Sequence, residues 1–496
     1  MDQSPRRRLS LARLDGRLKT MPFVKALVPF AVGVALGFRY LLPLWFVVGV
    51  VLAAGLVALK THRMVPQLLL LLGVGSLVGL ARSEPQELPF EIPAQLLVRV
   101  ESDSAPRNNR HTAEGRLTAW CDPLRGEWHS TEGHLLLRSD TTLTLRAGER
   151  LLVEGRIDPF RYGSPSFRRL MYYRNYLGNC YLRPENLLHR EAATSRSLHH
   201  RAAETLGVLL GTSDAAAVVR AMTVGDRSGV DGELRAAYAR SGMSHLLAVS
   251  GLHMGIVFLL INLALGWLVL LHRGEVVRNL LAIVLIWIYL FAVGAPASAV
   301  RAAIMCSILQ LSFFSASSYY AMNAWAASAM AMLMWRPAWL LDIGFQLSFV
   351  AVAALLLWGV PLCTRCRSRF RPLNALLHAL IIGCTASLAT APLTSYAFGL
   401  VPLVGFVLNP VVVFLGTVVV GGGLTLLLLP FLTPMLAPIA LTAASWLNRV
   451  AEKASAYEGA ALEEQLSGGV VGVIYLLFLL ITLLVWSIER KKSVHL

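Results

Sequence analysis

Two histidines stand eight residues apart in the run Ser-Gly-Met-Ser-His-Leu-Leu-Ala-Val-Ser-Gly-Leu-His-Met-Gly over residues 241–255. His245 and His253 could ligate a metal or move a proton. No carboxylate stands near them, however, and two imidazoles alone make a poor metal site. Two packing histidines fit the same spacing. Ser250 and Gly251 fall inside the long apolar run that this segment opens, where they would weaken or break a helix. Proteins use that device where backbone lines a cavity. Further along, Arg301, Asn323, Asp342, Gln346 and Asn409 are polar residues in or beside apolar stretches. Ionisable groups at membrane depth are costly and face a bundle interior or a watery path. An Arg301–Asp342 ion pair is the structural alternative.

Residues 160–183 hold five arginines, seven Phe or Tyr and no acid. Arg161, Arg168, Arg169, Tyr172, Tyr173, Arg174 and Tyr176 offer phosphate neutralisation and base stacking, the two needs of single-stranded nucleic-acid binding. The same composition would serve as an aromatic belt with arginines on lipid phosphates. Cys121 and Cys180 both fall in one hydrophilic block and could form a disulfide. Cys363 and Cys366 lack a second ligand pair and read as free thiols. No phosphate-binding Gly-x-x-x-x-Gly-Lys loop occurs, and no cofactor is expected.

The elements that position these residues are mostly membrane spans. Of 496 residues, 56 % are hydrophobic and only 15 % charged. A soluble domain carries roughly 25 % charge, so a soluble enzyme is excluded. Apolar runs such as 280–294 and 470–487 approach the ~20 residues needed to cross a bilayer. The net charge of +16 follows from 45 basic against 29 acidic residues, and topology accounts for most of it. Short basic clusters at 6–19, 60–63, 272–278, 365–371 and 490–492 should be cytoplasmic. Three helices over 22–81 then put a hydrophilic block on the outside. Nine spans over 244–488 return the C-terminus to the cytoplasm. The expectation is a polytopic α-helical membrane protein of about twelve spans, with both termini inside. No Ala-x-Ala site follows the first apolar run, so that run reads as a permanent helix and not a signal peptide.

The block over 82–190 reads as β structure. Short runs near 95–100, 115–120, 134–138 and 150–157 are separated by turn clusters. Four or five such strands suit a small extracytoplasmic barrel, OB-fold-like, although a small sandwich fits as well. Residues 191–243 read as amphipathic helices lying on the membrane surface or packed on the barrel.

The run over 245–255 resembles the signature of the ComEC-type competence proteins, bacterial channels that pass single-stranded DNA across the inner membrane during natural transformation. Leu210-Gly211 with residues 238–242 resembles the lead-in to that signature. Ser298 with Arg301-Ala302 resembles the family's Ser-x-x-Arg-Ala motif, and residues 344–348 its Gly-Phe-Gln-Leu-Ser motif. Thr390-Ala391-Pro392-Leu393 through Asn409-Pro410 resembles a late pore segment, so the likeness covers about 207–429. The stretches 146–160 and 167–182 resemble the family's extracellular OB-containing region. The resemblance implies a DNA channel, with His245, Ser250, Gly251, His253, Arg301, Asp342, Gln346 and Asn409 as candidate pore residues. It also implies an extracytoplasmic DNA receptor as partner, besides membrane lipids, while monomer and homodimer both stay open. No His-x-His-x-Asp-His motif occurs, so the nuclease role of many relatives does not carry over, and another protein is expected to degrade the second strand. Transport against the membrane potential with no nucleotide-binding loop implies a separate cytoplasmic ATP-driven motor. Two other classes remain open on the residues alone: a membrane-embedded enzyme or lipid-binding protein using His245, His253 and Asp342, and a small-solute transporter.

Overall fold

The computed structural model describes residues 22–39, 44–61, 64–80, 91–102, 104–107, 110–140, 143–160, 171, 175–192, 198–247, 249–312, 321–366, 368–457 and 459–492. Three apolar helices come first: α1 (Pro22–Arg39), α2 (Leu44–Thr61) and α3 (Met64–Leu80). Glycine decides how α1 and α3 meet. A Cβ on Gly33 would stand 2.1 Å from the Leu72 carbonyl oxygen, and one on Gly75 2.2 Å from that of Phe30. Lipid supplies no hydrophobic drive between helices, so close approach through small residues holds them. Phe30 and Val34 of α1 join Met332, Leu333, Phe345 and Phe349 in one buried cluster.

The β domain follows. Its strands are β1 (Ala94–Val100), β2 (Ala105–Arg107), β3 (Arg110–Cys121), β4 (Trp128–Ser139), β5 (Arg150–Gly155), β6 (Ile157–Asp158), β7 (Tyr176–Leu182) and β8 (Leu187–Glu191). Along β1, buried and exposed residues alternate without exception, the period of a strand with one wet face. One path runs β6-β7-β4-β3-β1-β5-β8, with β2 beside β3. Only β4 and β7 pair in parallel. Leu96, Val98, Leu117, Leu135, Leu137 and Leu151 form the inner face. An OB-type barrel of four or five strands does not describe this sheet of eight. The extra strand β7 lies in the arginine- and aromatic-rich segment 160–183. Its inward residues Gly178 and Cys180 are small, so the apolar alternation that signals a strand is weak there.

The Cys121–Cys180 disulfide that the sequence left possible is not formed; both are free thiols. Register explains why. Cys121 faces Trp128 of β4, whereas Cys180 faces Leu137 of the same strand. At about 3.3 Å per residue these positions lie tens of ångströms apart, far beyond the reach of a disulfide. Cys180 points into the core, and burial, aided by the nearby charge of Asp158, pushes its thiol up to about 12.

Among the described residues twelve further α-helices follow: α4 (Leu198–Leu210), α5 (Asp214–Val224), α6 (Gly232–Arg240), α7 (Gly251–Ala264), α8 (Gly274–Ala292), α9 (Ala297–Ser312), α10 (Ala321–Trp335), α11 (Ile343–Arg365), α12 (Arg371–Phe398), α13 (Gly405–Leu428), α14 (Thr433–Ser455) and α15 (Gly468–Lys492). Among the described residues six helices are long and apolar enough to span a membrane, and five apolar ones are shorter. The count of about twelve spans is therefore not reproduced. One reason is local: the apolar run opening at Ser244 becomes helical only at Gly251.

Helix α5 packs inside the bundle, against α4, α13 and α14. Every residue from Ala216 to Val224 except Arg220 is buried. Gly423 of α13 makes room for it, since a Cβ there would stand 2.1 Å from Thr223 Oγ1. Ser213 caps the start by accepting from the Ala216 amide at 3.2 Å. Gly225, at φ 85°, ends the helix in the left-handed conformation that glycine adopts at little cost.

These assignments make the thiols testable. In the folded chain Cys180 should resist maleimide until denaturant is added, because burial and a raised pKa both suppress thiolate. Cys121→Ser should leave non-reducing mobility unchanged. A mobility shift lost in that variant would restore the disulfide.

Candidate functional site

The described signature residues, 241–247 with 249 and 250, are not helical but form turns wedged between helices. Gly242 takes φ 78°, and a Cβ on it would stand 2.7 Å from the Pro402 side chain. Carbonyls in such a segment find no helical partner and must be satisfied from elsewhere. Arg227 Nε donates to the Leu247 carbonyl at 2.6 Å. Ser298 Oγ donates to that of Val249, also at 2.6 Å.

Ser250 and Gly251, read from sequence as an interruption within a helix, are its beginning. Ser250 is the N-cap of α7. His253 Nδ1 accepts from the Ser250 amide at 2.9 Å and lies 3.2 Å from its hydroxyl. An accepting Nδ1 puts the proton of the neutral ring on Nε2. His253 is fully buried. His245 is exposed on the turn, with Nδ1 3.0 Å from the Gly242 carbonyl. The two imidazoles therefore work apart. Among the described residues no group of three His, Cys, Asp or Glu side chains could hold a metal.

Arg301 of α9 and Asp342 do meet, Nη1 to Oδ1 at 3.8 Å, with both side chains almost fully buried. Asp342 is also the N-cap of α11, accepting from the Phe345 amide at 2.8 Å. Gly344 completes the arrangement. A Cβ there would lie 2.9 Å from Asp342 Oδ1 and 3.2 Å from Arg301 Nη2, so the glycine makes room for the pair. One turn on, Gln346 Nε2 donates to the Leu340 carbonyl at 2.9 Å. Asn409 stands elsewhere, on α13, donating to Ser387 of α12 at 3.1 Å. Asn323 accepts from the Phe23 amide at the start of α1.

A polar network that sequence reasoning missed joins the other ends of α7, α8 and α9. Gln310 Nε2 donates to Asn262 Oδ1 at 3.0 Å and to Asn279 Oδ1 at 2.9 Å. Arg278 donates to the same Asn279 oxygen. Amides within otherwise apolar helices were the signal available for finding it.

A family model described as "Competence protein" matches residues 222–489, more than half of the chain. The chain belongs to the competence protein family. The family likeness read from the motifs is thereby confirmed, with the match beginning at residue 222. ComE operon protein 3 of Bacillus subtilis (strain 168) is 30 % identical over 204 residues, 40 % of this chain. That match spans about a quarter (24 %) of the relative's own length. No solved structure matches the chain.

The competence match takes in the signature turns, the Arg301–Asp342 pair and Asn409, but not the β domain. In that domain, Arg161, Arg168, Arg169, Tyr172, Tyr173 and Arg174 lie outside the described residues. Tyr176 is on β7, its ring 5.3 Å from that of His134. Register then aligns side chains that the sequence scatters. Arg150, Arg99, Arg116, His134 and Tyr176 are successive cross-strand partners over β5, β1, β3, β4 and β7. Glu101 bonds Arg116 at 2.8 Å and His134 at 2.9 Å. The His134 bond, with the Arg116 charge, holds its carboxyl below the usual carboxylate range despite partial burial.

The buried pair yields a prediction. Asp342→Ala removes the carboxylate that faces Arg301, and breaking a buried pair from one side costs about 3–5 kcal/mol. Folded protein in the membrane fraction should fall, and Gly344→Ala should lower it through crowding. The double variant Arg301→Ala/Asp342→Ala should recover part of the loss. Equal abundance for all three, measured by immunoblot and thermal unfolding in detergent, would remove the pair from the stability of the bundle.

Proposed function

We propose that this competence-family protein is a conduit carrying single-stranded DNA through the inner (plasma) membrane into the cytoplasm during natural transformation, and that it is not itself an enzyme. One observation carries the reading: an irregular signature segment, held by Arg227 and Ser298, within the bundle that the family match covers. Irregular backbone is tolerated in a membrane protein where it is buried in protein or lines a water-filled path. His245, Ser250 and Gly251 line the path in this reading, while His253 and the Arg301–Asp342 pair shape it from behind.

By the positive-inside rule the basic clusters hold both termini in the cytoplasm. The β domain then lies on the outer side, where an extracytoplasmic receptor hands DNA to it. Phosphates follow the row of Arg150, Arg99 and Arg116 and the arginines of 161–174, with bases stacking on tyrosines. Lipids surround the bundle, and a homodimer is compatible with this arrangement.

Energy requires a further partner. Moving anionic DNA inward against an inside-negative potential costs about 2.3 kcal/mol per charge per 100 mV. A cytoplasmic ATP-driven motor supplies this work, docked on the basic segment around Arg365, Arg369 and Arg371.

Two experiments test the reading. A Cβ on Gly251 would stand 3.8 Å from that of Ala302, so Gly251→Leu drives bulk toward α9 beside Arg301. Transformation frequency should fall by an order of magnitude or more at normal membrane abundance; an unchanged frequency would take the segment off the DNA path. For the motor, DNA uptake by vesicles should stop when ATP is depleted with the proton gradient held. Continued uptake would make protons the energy source.

A further inference from the structure

Three arginines gather on the turn between α5 and α6, just before the signature segment. Arg220 is on α5, Arg227 on the turn itself and Arg235 on α6. Gly229 is shaped around the first of them, since a Cβ there would stand 2.4 Å from Arg220 Nη2. Arg235 Nη2 donates to the Arg227 carbonyl. The Arg227 side chain crosses to the signature segment, where its Nε donates to the Leu247 carbonyl. Its two Nη groups meet no acceptor among the described residues, and the residue is exposed.

The acids nearby are already engaged. Asp226 Oδ1 accepts from the Ser228 amide at 3.0 Å and the Ser228 hydroxyl at 2.6 Å. Its other oxygen is 3.9 Å from Arg220 Nε. Asp231 caps α6, accepting from the Glu233 amide at 3.0 Å. Loss of water around its anchored guanidinium, and then the charge of Arg235, hold the Arg227 pKa below the usual arginine value, although the residue as a whole is solvent-exposed. An anion arriving between these two guanidiniums would relieve their repulsion.

We infer that Arg227 and Arg235 form a phosphodiester site at which single-stranded DNA is held against the signature segment. The inference rests on the DNA-conduit reading. A guanidinium anchored through Nε presents its two Nη groups as a fixed fork, the geometry that grips two phosphate oxygens. Because Nε stays on Leu247, a phosphate on the fork is tethered directly to the segment proposed to line the path. Arg220, tied toward Asp226, sets the shape of the turn and is not a ligand.

The test uses the full chain in phosphatidylcholine nanodiscs and a fluorescent oligo-dT, with affinity measured against salt. Arg227→Gln should bind about tenfold more weakly at low salt, the loss of one charged hydrogen-bonded contact. The slope of log affinity on log salt should shrink by about 0.7, the value for one single-strand phosphate. Arg235→Gln should move both quantities in the same direction, and it keeps the test alive should Arg227→Gln fail to fold. Unchanged slopes in a folded variant overturn the site while leaving the conduit reading in place. An effect seen only on retention of phosphatidylglycerol, in nanodiscs containing that lipid, would make it a headgroup site and equally overturn it. Wild-type protein that binds no oligonucleotide at any salt sinks the conduit reading itself.

Discussion

A carbonyl that leaves the helical ladder inside a bundle of apolar helices has no water to turn to, so a donor must be brought to it. The signature segment creates that need at Leu247 and Val249, and the surrounding elements answer it. Arg227 reaches Leu247 from the turn that ends α5, while Ser298 reaches Val249 from the first turn of α9. Each donor constrains its own element. The turn at Gly225 must sit beside the signature segment, which draws α5 into the core. The start of α9 is likewise fixed. Arg301 lies three residues beyond Ser298, on the same helical face, and meets Asp342. The cap of α11 is in this way connected to the irregular segment through one helical turn.

Close backbone approach is the second requirement of the bundle, and glycine provides it at separate contacts. Gly33 and Gly75 bring α1 against α3, Gly423 brings α13 against α5, and Gly344 makes space for the ion pair. In water such residues would weaken helices by roughly 0.5–1 kcal/mol each relative to alanine. In a membrane protein they permit the dispersion contacts and hydrogen bonds that hold helices together when lipid competes for every apolar face. Tyr289, donating to the Thr223 carbonyl at 2.9 Å, shows the same economy on α5.

The membrane class and the family were legible because they depend on composition and on short contiguous motifs. The Arg301–Asp342 contact was legible too, as two opposite charges in apolar surroundings have few other partners. What the sequence hid depends on pairing between distant segments. Cys121 and Cys180 look equivalent as two thiols in one block, and only the strand register separates them along β4. The basic row on the sheet draws one residue from each of several strands, so no local pattern marks it. Helix α5 looked amphipathic because Arg220 interrupts an otherwise apolar helix. Its burial follows from Gly423, two hundred residues away. The span count failed where apolar length was taken as helix length: Ser250 caps a helix that hydropathy alone would begin several residues earlier.

The ion pair also limits where DNA could be attracted. A lone arginine inside the bundle would draw phosphates strongly, since charges interact more strongly at low dielectric. Arg301 is not alone. Asp342 faces it within the same buried site, so seen from a distance the two form a dipole and not a positive charge. Long-range attraction must then come from cations whose charge is not cancelled nearby and which can reach solvent. Arg227 meets both conditions at the edge of the signature segment, whereas in the sheet row Glu101 and Glu191 offset the charges of Arg116 and Arg150. In the proposed conduit reading, a cation at the edge of the signature segment with a charge-neutral pair inside the bundle would favour passage over trapping. A strand held tightly throughout its path could be captured but not moved.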